Sequence, residues 1–305
     1  MSMILEYLYF QNFLNNWARN TLIEENISFK NDEETIPYFI QLLNHKSKLI
    51  KPIPRNVSFS RNFQISPDNQ EGFNQLLTCI KNGINVNPYL SKISLDGGKV
   101  DGLLDNYGLK HFHLGKEKEE NSNFIQRTGD LALAFITNDE VFFVASKMHG
   151  RGHGLIWYEK DVLEILHQER PDLISNSKVE NFTDISPTIT EALDIKRLRD
   201  KQINTYITLS DGAVYGPINL GQSTAGYSIT HSFELINTSE AMWKDYLEVH
   251  NLISKDYEIK GVRVKDFEMN SSLTELIGNY EFTIQDEDRT ASTLVPFKLI
   301  KGNSR

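Results

Sequence analysis

The sequence predicts an α+β protein with a mainly helical N-terminal region, a central antiparallel sheet with a following helix, and a β-rich C-terminal region. Three observations carry this expectation. Near the start, Ile4, Leu5, Leu8, Phe13, Leu14 and Trp17 approximate a 3.6-residue stripe. In the middle, two apolar runs flank Asn138 and Asp139. Towards the end, "YEIKGVRVKDFEM" and "YEFTIQDEDRTASTLVPFKLI" alternate in the β manner.

Taken in order, the first region covers 1–95. After the opening helix, "EETIPYFIQLLNH" and "NQEGFNQLLTCIKNG" read as further helices, with Gly83 as the C-cap of the second. The aromatics Tyr7, Tyr9, Phe10, Phe13 and Trp17 sit at spacings that normally bury them, so core packing is expected rather than a base-stacking platform. Between the helices, "KPIPRNVSFSRNFQISPDN" reads as an extended connector.

A central region follows over 96–176. "VDGLLDNYG" suggests a short helix or turn, and "LKHFHLG" has the period-2 look of a strand. Residues 131–148 form a hairpin turning at "NDE", and their nearly continuous apolar character predicts a sheet centre covered on both faces. "YEKDVLEILHQERPD" is then a helix ended by Pro171. A domain boundary is expected in the polar stretch that follows, before a β-rich region over 196–305. That last region contains a hairpin turning at Asp211 and Gly212 and one helix, "SEAMWKDYLEVHNLI". The Gly- and Ser-rich stretch 216–228 reads as a mobile connection and lacks the Lys and spacing of a phosphate loop.

Composition narrows the function classes. With 305 residues, 39% of them hydrophobic, the chain can bury a substantial core. The single cysteine, Cys79, excludes an intrachain disulfide and a Cys-based zinc site, and a core thiol is expected. No apolar run is long enough to cross a bilayer and the start does not suit a secretory signal, so a cytoplasmic protein without a membrane partner is expected. A net charge of −9 argues against non-specific coating of nucleic acid. One window, with Lys46, Lys48, Lys51, Arg55 and Arg61 and no acid, suggests either a local basic surface or a solvated loop.

The chemistry-bearing residues concentrate in the central region. His111 and His113 project from one face if their segment is a strand, because side chains alternate with period 2. His149 and His153 follow in "KMHGRGHG", and Lys110, Arg127, Lys147 and Arg151 are interleaved with the histidines. Two chemistries fit. In the first, His111, His113, Arg127, His149 and His153 are catalytic and Lys110, Lys147 and Arg151 bind substrate. One imidazole takes the proton of a ribose 2′-hydroxyl, another protonates the departing 5′-oxygen, and the cations stabilise charge on phosphorus, without cofactor or metal. In the second, His111, His113, Glu117 and His149 hold a divalent transition metal. That spacing partly resembles the first metal motif of cupins, without the glycine expected after the acid and without the Pro-x-Gly lead-in of the second motif. A third reading is a non-enzymatic protein-interaction module whose histidines tune a polar surface.

The order of a basic residue, a central hairpin and a histidine just past the second strand, in "RTGDLALAFITNDEVFFVASKMHGRGH", resembles the C-terminal half of the RelE and HigB toxin ribonucleases. The resemblance covers roughly 50 of the 305 residues. It departs from the family in the greater length of the chain, the acidic surroundings and the two histidines before the hairpin. It implies a toxin-like endoribonuclease acting on RNA, often at the ribosome, with Arg127 binding phosphate and His149 as acid or base. Because free RNase activity is toxic to its host, such an enzyme needs a control, either an antitoxin or regulatory protein or its own extra domains, and phage defence is an extension of this reading.

Overall fold

The apolar hairpin of the sequence becomes the centre of a sheet. In the computed structural model, which describes residues 3–32, 36–150, 152–180, 189, 191–270, 274–286 and 289–300, β3 (Asp130–Ile136) and β4 (Glu140–Met148) pair antiparallel around the turn at Asn138 and Asp139. β2 (Leu109–His113) adds antiparallel to β3. β1 (Asn56–Phe59) adds to β4 in parallel, giving the order β1-β4-β3-β2. The sheet is therefore mixed rather than purely antiparallel. Its edge strand comes from the segment read as an unpaired connector, where Pro52 and Pro54 leave too short a run for a pattern to register.

Both faces of the hairpin are covered, as its composition requires. On one face Leu109, Leu131, Leu133, Phe142 and Val144 pack with Val162, Leu163 and Leu166 of α5 (Asp161–Glu169). Full burial of such side chains stabilises by about 1.5 to 3 kcal/mol each. On the other face Phe112, Ala132, Ala134, Val141 and Phe143 meet Phe73, Leu76 and Ile80 of α3 (Gln70–Lys81), with the half-buried Cys79 beside them. α3 ends where its sequence says it should. Gly83 adopts φ +67°, and the amides of Gly83 and Ile84 return to the carbonyls of Ile80 and Cys79.

Three further short helices complete this part of the chain: α4 (Gly102–Tyr107), α6 (Pro171–Ile174) and α7 (Ala192–Asp200). β5 (Ile207–Thr208) and β6 (Val214–Tyr215) form the hairpin expected at Asp211 and Gly212. α2 (Tyr38–Lys48) carries a buried polar stripe, Gln41, Asn44, His45 and Lys48, at helical spacing. Asn44 Nδ2 donates to Gly97 O and His45 Nδ1 to Ser94 O, while Lys48 Nζ donates to the carbonyls of Ile93, Asp96 and Lys99. This stripe fixes the loop between Leu90 and Asp101.

The chain divides into two compact units, Arg19–Ser232 and a second made of Met1–Ala18 with Phe233–Arg305. This differs from the three-part division of the sequence. Ile195 of α7 is fully buried in the core of the first unit, so the polar stretch before it is not a boundary between units. Of that stretch, 181–188 and 190 lie outside the described residues.

In the second unit β7 (Glu258–Met269), β8 (Glu275–Asp286) and β9 (Arg289–Ile300) form an antiparallel sheet in that order. The early turns of α1 (Met3–Glu24) pack with it and with α8 (Ile229–Ile253). Phe10 meets Tyr246 and Tyr280 at ring separations of 5.6 and 6.3 Å, and Phe13 and Trp17 both meet Phe267 edge-on. The aromatic stripe of the N-terminus is thus core, and its partners lie more than two hundred residues away in sequence. Among the described residues no helix is long and apolar enough to cross a membrane.

Candidate functional site

Strand alternation sets the first two residues of the site. On β2, Leu109, His111 and His113 share a face, and Lys110 and Phe112 take the other. Opposite them on β3 stand Leu133 and Leu131. The ladder continues to β4, where Leu133 pairs Ala145 and Leu131 pairs Lys147.

Between these pairs and the turn the register slips by one residue at Leu133/Ala134, so Ala134 pairs Phe143. Before this bulge Phe142 and Val144 face the histidine side; after it, Ala145 and Lys147 do. Two residues further, the amide of His149 donates to Gly129 O at 2.6 Å and extends the ladder past β4. Without the bulge, His149 would point to the opposite face.

Three imidazoles come together as a result. The ring centroids of His111 and His113 are 5.9 Å apart, and those of His113 and His149 are 6.2 Å apart. The indole of Trp157 stands 5.2 Å from His111 and 5.6 Å from His149. Gly150 and Gly152, at φ +123° and +91°, let the chain turn sharply after His149. Ile156, buried in the core, anchors the turn that delivers Trp157.

Burial lowers the basicity of all three rings. His113, only 3% exposed, is pushed down to about 3 by desolvation, then by His111, Arg127 and His149. Desolvation is also the largest cause at His111, opposed by the carboxylate of Asp101, and at His149, where the charge of Arg127 adds to it. The resting cluster is therefore neutral at pH 7. Arg127 is exposed and makes no hydrogen bond or ion pair with a described residue, so its guanidinium remains available to an anion. His113 Nδ1 is buried and finds no partner among the described residues.

The remaining residues singled out by sequence are not brought to this cluster. His153 is exposed in the turn before α5 and makes none of these ring contacts. Lys110 faces the other side of β2, where its Nζ donates to the carbonyls of Ser47 and Lys48 at the end of α2. Lys147 shares the histidine face but is paired with Glu159 at 2.8 Å and with Asp161. Arg151 lies outside the described residues. The proposed metal set is not assembled either, since Glu117 is exposed on a loop. Among the described residues no three His, Cys, Asp or Glu side chains are grouped to hold a metal ion.

The basic window, read as either a local basic surface or a solvated loop, is in part neither. Lys48 is caged by carbonyls, and Arg55 is buried with its Nε on Thr137 O and its Nη1 on Lys51 O. Two of its five cations are therefore structural. Residues 216–228, read as a mobile connection, are pinned to α4 instead: the amides of Asn219 and Gly221 both donate to Asp105 O.

A cavity of about 360 Å³ opens beside the cluster, within the first unit. His111, His149 and Trp157 form one wall, and Asp101, Asn106 and Arg199 contribute to others. Asp101 caps α4, its carboxylate accepting from the amides of Leu103 and Leu104. Sequence reading passed over Asp101, Asn106, Trp157 and Arg199. The Asp-Gly start of "DGLLDNYG" was the available signal for the cap, and nothing local marked the others. Comparison of the chain with protein-family profiles, with curated proteins and with solved structures finds no match in any of the three.

Proposed function

We propose that the first unit is a metal-independent, toxin-like endoribonuclease with His111 and His149 as its acid–base pair. The observation that carries this reading is that these two imidazoles, from separate segments, line one cavity with Trp157 between them. One neutral imidazole accepts the 2′-hydroxyl proton as O2′ attacks phosphorus. The P–O5′ bond breaks, and the other ring, protonated, gives its proton to O5′, leaving a 2′,3′-cyclic phosphate and a 5′-hydroxyl. Arg127 offers its charge to the phosphate oxygens. His113, buried behind the pair, acts through them and is assigned a positioning role. An enzyme of this kind has to be restrained in its host, by an antitoxin or other regulatory protein or by the second unit of its own chain.

The depressed basicity sets a direction for the pH profile. A free enzyme that needs one protonated imidazole loses kcat/KM as pH rises through a value below the ordinary 6.5, so the optimum lies on the acid side of 6.5. The decisive experiment incubates labelled single-stranded RNA with wild type, His111→Ala and His149→Ala, with and without EDTA. Cleavage to cyclic-phosphate ends that EDTA leaves intact, reduced about 10²- to 10⁴-fold in each variant, supports the reading. Intact RNA with wild type, or equal cleavage by all three proteins, overturns it.

A further inference from the structure

We propose that the cavity beside His111 and His149 is a nucleobase pocket, in which Asn106 accepts a hydrogen bond from a base stacked against the wall that carries Trp157. The inference deepens the ribonuclease reading and rests on it for the choice of ligand. Its starting point is an amide with one half in use. Asn106 is 4% exposed, and its Nδ2 donates to Gly102 O at 2.9 Å. That bond fixes the orientation of the amide, because a carbonyl can only accept. Oδ1 is left buried without a partner among the described residues. An acceptor in that state is costly to the fold, and a ligand N–H that reaches it recovers the loss.

The surroundings suit a base. Tyr158 and Trp157 supply aromatic surface, and Arg199 and Gln222 supply polar groups. A volume of about 360 Å³ falls within the roughly 300 to 1,000 Å³ of small-molecule sites. Every base presents an N–H edge, either an exocyclic amine or a ring imide, and a π-face for stacking. A base seated here holds its ribose and phosphate beside His111 and His149, the two rings that share this cavity.

Asn106 is held rigidly for this task. Asp101 caps the helix that carries it, and Gly108, at φ +67°, ends that helix. Its chain neighbours Asp105 and Tyr107 are both buried. The unused Oδ1 therefore cannot swing out to water without disrupting α4.

The test is calorimetric titration of the full chain with each of the four nucleoside 3′-monophosphates, with ribose 5-phosphate and inorganic phosphate as controls. At least one nucleotide is expected to bind at least tenfold more tightly than either control. Asn106→Leu is expected to remove about tenfold of that affinity, the equivalent of one lost hydrogen bond. Because that substitution could disturb α4, Trp157→Ala provides a second route and is expected to weaken the same nucleotide while leaving phosphate binding unchanged.

Equal binding of nucleotide and controls overturns the proposal, as does nucleotide binding that survives both substitutions. Cleavage of RNA without any base-dependent binding leaves the ribonuclease reading standing and removes the pocket. Base-dependent binding that both substitutions weaken, with RNA left intact, keeps the pocket and removes the ribonuclease reading.

Discussion

The two faces of β2 handle buried polar groups in opposite ways. On one, Lys110 gives its ammonium to two carbonyls at the end of α2, and the neighbouring Lys48 gives its own to three. On the other, neither His113 Nδ1 nor nearby Asn106 Oδ1 has a partner among the described residues. Burial pushes both lysines down to about 8, opposed by the carboxylate of Asp101, so they stay charged at pH 7. The histidines respond to burial by becoming neutral. A satisfied network makes a rigid scaffold, whereas a buried group left unsatisfied calls for an explanation, and the base pocket proposed above offers one for Asn106.

The largest test of this contrast is Lys48→Met. It strips the donors from three carbonyls that hold the Leu90 to Asp101 loop, and each buried acceptor left without a partner costs roughly 1 to 3 kcal/mol. A loss of about 3 kcal/mol or more in denaturant unfolding is expected. A loss under about 1 kcal/mol would mean the cage contributes little and the contrast fails on its scaffold side.

On the other face, His113→Leu should behave differently. At pH 7 it removes a group that has no partner on Nδ1, and stability is expected to change by less than about 1 kcal/mol. The effect appears in acid. The folded-state value of about 3 lies below the ordinary 6.5, so unfolding takes up a proton between the two, and the stability present above pH 6.5 is lost as pH falls. At pH 5 that loss amounts to about 2 kcal/mol, which the leucine variant should not show.

His231, pushed down to about 4, acts in the same direction as His113. Asp105, buried and raised to about 7, acts in reverse: its contribution is present below pH 4 and is lost as pH rises through 7. The difference between wild type and variant isolates His113 from both. Equal acid slopes in the two proteins would place the pH sensitivity elsewhere.

The smallest effect sharpens the link between scaffold and site. Asp101→Asn keeps a good N-cap on α4, so stability should shift by only a few tenths of a kcal/mol. It removes the carboxylate that supports a protonated His111. If RNA is cleaved, the acid optimum is expected to move lower still, by a fraction of a pH unit. An optimum that stays in place would show that His111 does not set the profile.

The sequence by itself determined the local elements. The apolar alternation of 131–148, the Asn138-Asp139 turn and Gly83 are each read by neighbours a few residues away, so β3, β4 and the end of α3 fall where pattern and turn chemistry put them. It also determined that His111 and His113 share a face, since that follows from strand period alone.

Tertiary structure decided the rest. β1 exists because β4 offers it an edge, and α1 joins the C-terminal sheet through rings far apart in sequence. His149 reaches the other histidines because a one-residue slip reverses which side of β4 it faces. Lys110 and Lys48 are scaffold because α2 and its loop supply carbonyls to them. Each of these depends on a partner distant along the chain, and a linear pattern carries the period of a strand but neither its register nor the groups that will surround it.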